Sequence, residues 1–109
     1  MSTCSTHVLD AVLGRPAVGV AVALSSADGT TLAEARTDDD GRVRFEEDLD
    51  AGLDAGLHRL VFATGAWFAA QDRASFHPEV TVAFTVEHGE HHHVALLLSP
   101  FSYTTYRGS

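Results

Sequence analysis

At 109 residues, with 45% hydrophobic and 20% charged residues, the chain is sized for one domain over 1–109, too short for a catalytic domain plus a separate binding domain. Fifteen Asp and Glu oppose seven basic residues and leave a formal net charge of -8, a field that repels nucleic acid and anionic lipid, so neither is expected as a partner. All of the basic residues are Arg; the lack of Lys excludes Schiff-base chemistry and makes Arg the fixed cation for any anionic ligand.

The dominant period along the chain is two, the period of strands. Val18, Val20, Val22 and Leu24 alternate in one stretch, and Val80, Val82, Phe84 and Val86 alternate with Thr81, Ala83 and Thr85 in another. In chain order, strands are expected near 6–10, 17–25, 31–37, 42–46, 57–63, 79–87, 91–98 and 102–107, about eight in all. Turn signals separate them at Gly14-Arg15-Pro16, Ala27-Asp28-Gly29, Asp39-Asp40-Gly41, Glu87-His88-Gly89 and Ser99-Pro100, a rhythm that fits an antiparallel sandwich. Ala66 to Arg73 is the one helical stretch, free of Gly and Pro. The short tandem Asp-Ala-Gly repeat over 49–57 reads as a loop.

The strand over 91–98 bears on function. Val94, Leu96 and Leu98 suit a core, which sends His91, His93, Ala95 and Leu97 to the other face. An outer face carrying Leu and His points to a covering subunit or a cleft. The first strand repeats this, with His7 and Leu9 on one face and Val8 on the other. His91 and His93 lie about 6 to 7 Å apart on one face, able to act as general base, while His92 points away and is expected to be dispensable for activity. Two His at this spacing with a third ligand would also suit zinc, but no Cys pair or acidic ligand stands at a recognised metal spacing, so no cofactor is expected. His58, His77 and His88 receive no role. Cys4, the single cysteine, cannot form an intrachain disulfide and reads as an ordinary thiol, which fits a reducing compartment. No positive segment leads an apolar one at the start and no apolar run nears the ~20 residues of a membrane span. A cytoplasmic location without membrane association is expected.

Four motifs, Ser5-Thr-His-Val-Leu-Asp10 with Gly14-Arg-Pro-Ala17, Thr37-Asp-Asp-Asp-Gly-Arg42, His91-His-His-Val-Ala-Leu-Leu-Leu-Ser-Pro100 and Tyr106-Arg-Gly-Ser109, resemble those of 5-hydroxyisourate hydrolases in the transthyretin-like family. The likeness spans nearly the whole chain, and the C-terminal Tyr-Arg-Gly-Ser separates these hydrolases from the vertebrate hormone carrier. The resemblance implies an all-β sandwich of two four-stranded antiparallel sheets with one short helix. It also implies a homotetramer with active sites in the channel between dimers. His7, Arg42, His93 and Ser109 are the implied catalytic residues, with His7, Arg42 and Tyr106 at the substrate. Two departures are His92, where the motif usually has an aromatic residue, and Ala95, where it has Pro.

The implied substrate is the small molecule 5-hydroxyisourate, opened by water at a lactam carbonyl to 2-oxo-4-hydroxy-4-carboxy-5-ureidoimidazoline. That reaction needs a base for water, a stabiliser for the oxyanion and a proton donor for the leaving nitrogen. His7 or His93 suits the base, Arg42 the charge, Tyr106 and Ser109 the orientation of the ring. Ser109 lacks the strained turn of a nucleophilic serine, so direct attack by water is preferred. The alternative is a non-catalytic small-ligand carrier of the same fold, whose channel would need apolar lining rather than two His, an Arg and a Tyr.

Overall fold

A computed structural model describes residues 2–45 and 52–109. Two sheets face each other. The first contains β1 (Thr3–Asp10), β2 (Arg15–Pro16), β5 (Arg42–Arg44), β8 (His91–Leu98) and β9 (Tyr103–Gly108). It is four strands wide, because β2 and β5 pair end to end with the same edge of β1. The second is ordered β4 (Thr31–Arg36), β3 (Ala21–Ser26), β6 (Gly56–Phe62), β7 (Val80–Val86), and α1 (Thr64–Ala69) follows β6. The result is the sandwich with one short helix that the sequence led us to expect. β1 and β8 run parallel, in register from Thr3 opposite His91 to Asp10 opposite Leu98; the other pairings are antiparallel.

The alternating residues meet between the sheets. Cys4, Val8, Val94, Leu96 and Leu98 from one sheet pack with Val22, Leu24, Leu60, Phe62, Val80 and Val86 from the other, and Phe45 and Phe68 are buried in the same core. Each fully buried aliphatic side chain contributes about 1.5–3 kcal/mol. Cys4 is a core residue whose thiol burial pushes up to about 12, leaving almost no thiolate.

Three local expectations change. The strand foreseen over 17–25 begins only at Ala21. Gly19 takes φ +81, Val18 is exposed, and Thr37 Oγ1 accepts the Val20 N–H at 2.9 Å while donating to the Ala17 carbonyl at 2.6 Å. The Thr37 side chain thus takes the Val20 N–H, while the backbone pairs irregularly through Gly19 N–H to the Thr37 carbonyl and Thr37 N–H to the Val20 carbonyl, both at 2.9 Å. The helix lies at Thr64–Ala69 rather than 66–73. Asp72 at φ 55 ends the turns that follow, and Arg73 reaches back to the buried Asp10 at 2.8 Å. His92 is not merely turned away: it is 3% exposed, within the sandwich. Its Nε2 accepts the Glu87 N–H at 2.9 Å, so Nδ1 carries the proton and donates to the Thr3 carbonyl at 3.2 Å. Of the loop foreseen over 49–57, residues 49–51 lie outside the described residues, and Gly56 and Leu57 open β6.

Candidate active site

The outer face of the first sheet is a grid fixed by strand register. Side chains facing the core alternate with those facing outward, so pairing alone assigns neighbours. In one row Arg42 stands opposite His7, His7 opposite Ala95, and Ala95 opposite Tyr106. The adjacent row runs Arg44, Ser5, His93, Gly108. Beyond it Thr3 faces His91, and on the other side Leu9 faces Leu97. The two histidines singled out from sequence thus sit diagonally across the parallel β1–β8 pair.

Arg42 is aimed by the turn before it. Asp38 Oδ1 accepts the N–H groups of Asp40 and Arg42, both at 2.9 Å. The Arg42 N–H is the main reason that the Asp38 carboxyl titrates below its usual range, with the nearby charges of Arg42 and His7 adding to it. Gly41 completes the turn at φ +75, pressed so closely on the Val8 carbonyl that a Cβ would overlap it. This turn packs onto β1 one residue from His7, and so ties the Asp-Asp-Gly motif to the histidine.

A cavity of about 380 Å³ opens beside this grid, lined by Ser5, Asp38, Arg42, Arg44, His91, His93 and Ser109 among others. Arg42, His93 and Ser109, all expected at the site, line it together. His7 flanks it, being paired with Arg42 and close enough to influence the titration of His93 and Asp38. Tyr106 does not line this cavity. It lies on the same face two strands from His7, roughly 10 Å away by strand spacing, and is exposed.

His93 is half-buried. Burial, then the charges of Arg42, His7, His91 and Arg44, hold its imidazole below the ordinary value of 6.5, so the ring is a neutral base near neutral pH. Its Nδ1 is hydrogen-bonded to Ser5 Oγ at 2.7 Å. The Cδ2 edge of its ring abuts Gly108, where any Cβ would overlap Cδ2. That contact gives the glycine of the C-terminal motif a steric purpose: it admits the imidazole against β9.

Sequence reasoning missed Ser5 and Arg44 in this cavity. Both could have been found by the period of two, since Ser5 precedes His7 and Arg44 follows Arg42 by two residues on the same outward face. Among the described residues no group of three or more His, Cys, Asp or Glu side chains is arranged to hold a metal ion.

Comparison with known proteins finds relatives that match over the full length. The 5-hydroxyisourate hydrolase of Caulobacter vibrioides is 44% identical over 117 aligned residues, covering 100% of both chains. The solved 5-hydroxyisourate hydrolase of Klebsiella pneumoniae superposes with a TM-score of 0.89 at 43% identity, covering 100% of this chain and 94% of that one. Transthyretin from Sparus aurata superposes with a TM-score of 0.83 at 38% identity, covering 96% of this chain and 95% of that one. Residues 4–108 match the HIUase/Transthyretin family, and with that match and these identities over the full length the chain belongs to that family.

Proposed function

We propose that this protein is a 5-hydroxyisourate hydrolase, opening the six-membered ring of 5-hydroxyisourate in urate degradation. The observation that carries this reading is the meeting of Arg42, His93 and Ser109 in one cavity, with His7 beside Arg42. A half-buried neutral imidazole, a fixed guanidinium and a hydroxyl are what a lactam needs for hydrolysis by water. His93 or His7 takes the proton of the attacking water. Arg42 binds the anionic substrate and offsets charge on the oxyanion, and Ser109 holds the ring, while Tyr106, outside this cavity on the same face, would meet the substrate from β9. The bond made is carbon to water oxygen; the bond broken is carbon to ring nitrogen, which leaves with a proton.

Assembly as a homotetramer belongs to the same reading. In a single chain the outward Leu9 and Leu97 are only half-buried, while Phe76, Phe101 and Tyr103 are large and exposed; contact between copies would cover such surface. The location proposed is the cytoplasm.

A carrier, as the likeness to transthyretin would allow, is less consistent with a cavity rimmed by two Arg and two His, which are costly to bury without a use. The experiment is direct. Freshly made 5-hydroxyisourate is mixed with the protein and its absorbance decay compared with the spontaneous rate. Catalytic acceleration is expected, with His7→Ala and His93→Ala each lowering kcat by about 10²-fold. A decay rate equal to the spontaneous one sinks the proposal in favour of a carrier.

A further inference from the structure

We infer that Ser5 is a positioning residue of this reaction: its hydroxyl holds His93 with the proton on Nδ1 and links it to His91, which receives the proton that His93 takes up. The inference rests on the hydrolase reading and gives the outward face a second function, the carriage of a proton away from the reacting water.

The parallel register sets Thr3 beside His91 and Ser5 beside His93, and the side chains form a chain of hydrogen bonds. Ser5 Oγ lies 2.7 Å from His93 Nδ1 and 2.8 Å from His91 Nε2. His91 Nδ1 lies 2.5 Å from Thr3 Oγ1. A hydroxyl owns one proton, so Ser5 donates to one imidazole and accepts from the other; the two tautomers are coupled. For His93 to act as base through Nε2, its Nδ1–H must donate to Ser5. Ser5 then donates to His91 Nε2, and His91 keeps its proton on Nδ1, donated to Thr3. Ser5 is 6% exposed, which limits the water that could compete for its hydroxyl.

The proton balance follows. As the water oxygen bonds to the substrate carbonyl carbon, its proton goes to His93 Nε2. A doubly protonated His93 would sit half-buried among Arg42, Arg44 and His7, groups that with burial disfavour its charge. Passing the Nδ1 proton to Ser5 Oγ, while the Ser5 proton moves to His91 Nε2, leaves His93 and Ser5 neutral and puts the positive charge on His91. His91 is exposed, so water stabilises the cation there. When the carbon–nitrogen bond breaks, the shift reverses as the Nε2 proton passes to the leaving nitrogen. The proton of water ends on that nitrogen, and the chain is restored.

Three variants and one spectrum test this. Ser5→Ala should lower kcat about tenfold or more with KM within about twofold, and Ser5→Thr, which keeps a hydroxyl, should restore kcat to within about threefold of the parent. His91→Gln can still accept from Ser5 but cannot take the proton, and should lower kcat about tenfold at unchanged KM. Nitrogen NMR of the substrate-free protein should find His93 protonated on Nδ1 in the parent and in mixed tautomers in Ser5→Ala. Unchanged kcat in Ser5→Ala or His91→Gln overturns the relay, as does a loss in Ser5→Ala that Ser5→Thr does not restore, or an Nε2–H tautomer in the parent. Should Ser5→Ala fail to fold, the exposed His91→Gln and the parent spectrum decide. A parent without activity would sink the hydrolase reading, whereas the tautomer measurement stands apart from it.

Discussion

Replacing His92 separates the fold from the chemistry on a single strand. Truncation to Ala empties a ring-sized space beside Phe84, whose ring centroid lies 6.4 Å away. It also strips the Glu87 N–H and the Thr3 carbonyl of their partner at 2.9 and 3.2 Å. The cavity costs about 2 kcal/mol, at the low end for large-to-small changes, and the two lost hydrogen bonds together about 1 kcal/mol because the first has solvent nearby. His92→Ala should therefore destabilise the protein by about 3 kcal/mol, lowering Tm by about 12 °C for a domain of this size. His92→Phe keeps the volume and loses only the hydrogen bonds, at about 1 kcal/mol. Urea unfolding of parent and variants at one fixed protein concentration measures both, and kcat/KM of the folded variants should stay within about twofold of the parent. A His92→Ala protein that unfolds like the parent but loses activity tenfold would mean that the side chain faces the substrate, and the strand register deduced here would be wrong by one residue.

Gly108→Ala should fold yet lose kcat by about tenfold or more, since the new methyl overlaps the His93 ring and displaces the base; a pH–rate profile and circular dichroism on one sample distinguish this from unfolding. The acid limb of kcat/KM should fall below pH 6.5, because burial and the neighbouring cations hold His93 below that value. The same depression has a stability consequence of fixed sign: below pH 6.5 the unfolded chain takes up the proton before the folded one does, so His93 lowers stability as pH falls through this window toward its folded-state value. Denaturation at several pH values, compared with His93→Ala, checks it. Leu97→Glu puts a charge on the outward face where the tetramer would desolvate it, at several kcal/mol per site; light scattering across a dilution series should find smaller species with reduced activity, and a fully active monomer would defeat the channel arrangement.

What was legible beforehand was whatever a period of two records. The inward Val94, Leu96 and Leu98 and the outward His91 and His93 follow from alternation alone, and the turn at Asp38–Gly41 from its Asp and Gly. Resemblance to the family added Arg42 and Ser109, which no local pattern marks. Partner choice was not legible, because pairing between residues such as Ser5 and His93, 88 positions apart, depends on tertiary packing rather than local propensity. Ser5 therefore stood only as the opening residue of a motif, outside the strand expected over 6–10, until β8 was set beside it. Val18 misled for the converse reason: it continues the apolar alternation of Val20 and Val22, but Gly19 at positive φ and the Thr37 side chain, which takes the Val20 N–H, make the pairing irregular before β3 begins.

The parallel union of β1 with β8 orders events during synthesis. β1 leaves the ribosome before its long partner, which spans His91–Leu98, so the residues between them must emerge before that edge is covered. The β4-β3-β6-β7 sheet joins strands nearer one another along the chain and meets a smaller loop-closure cost. The nascent molecule thus carries an uncovered first strand while its other layer can already pair, an edge open to mispairing until β8 arrives. The histidines fall on opposite sides of that delay, His7 on β1 and His93 on β8, so the face that carries both is completed only once β8 has emerged.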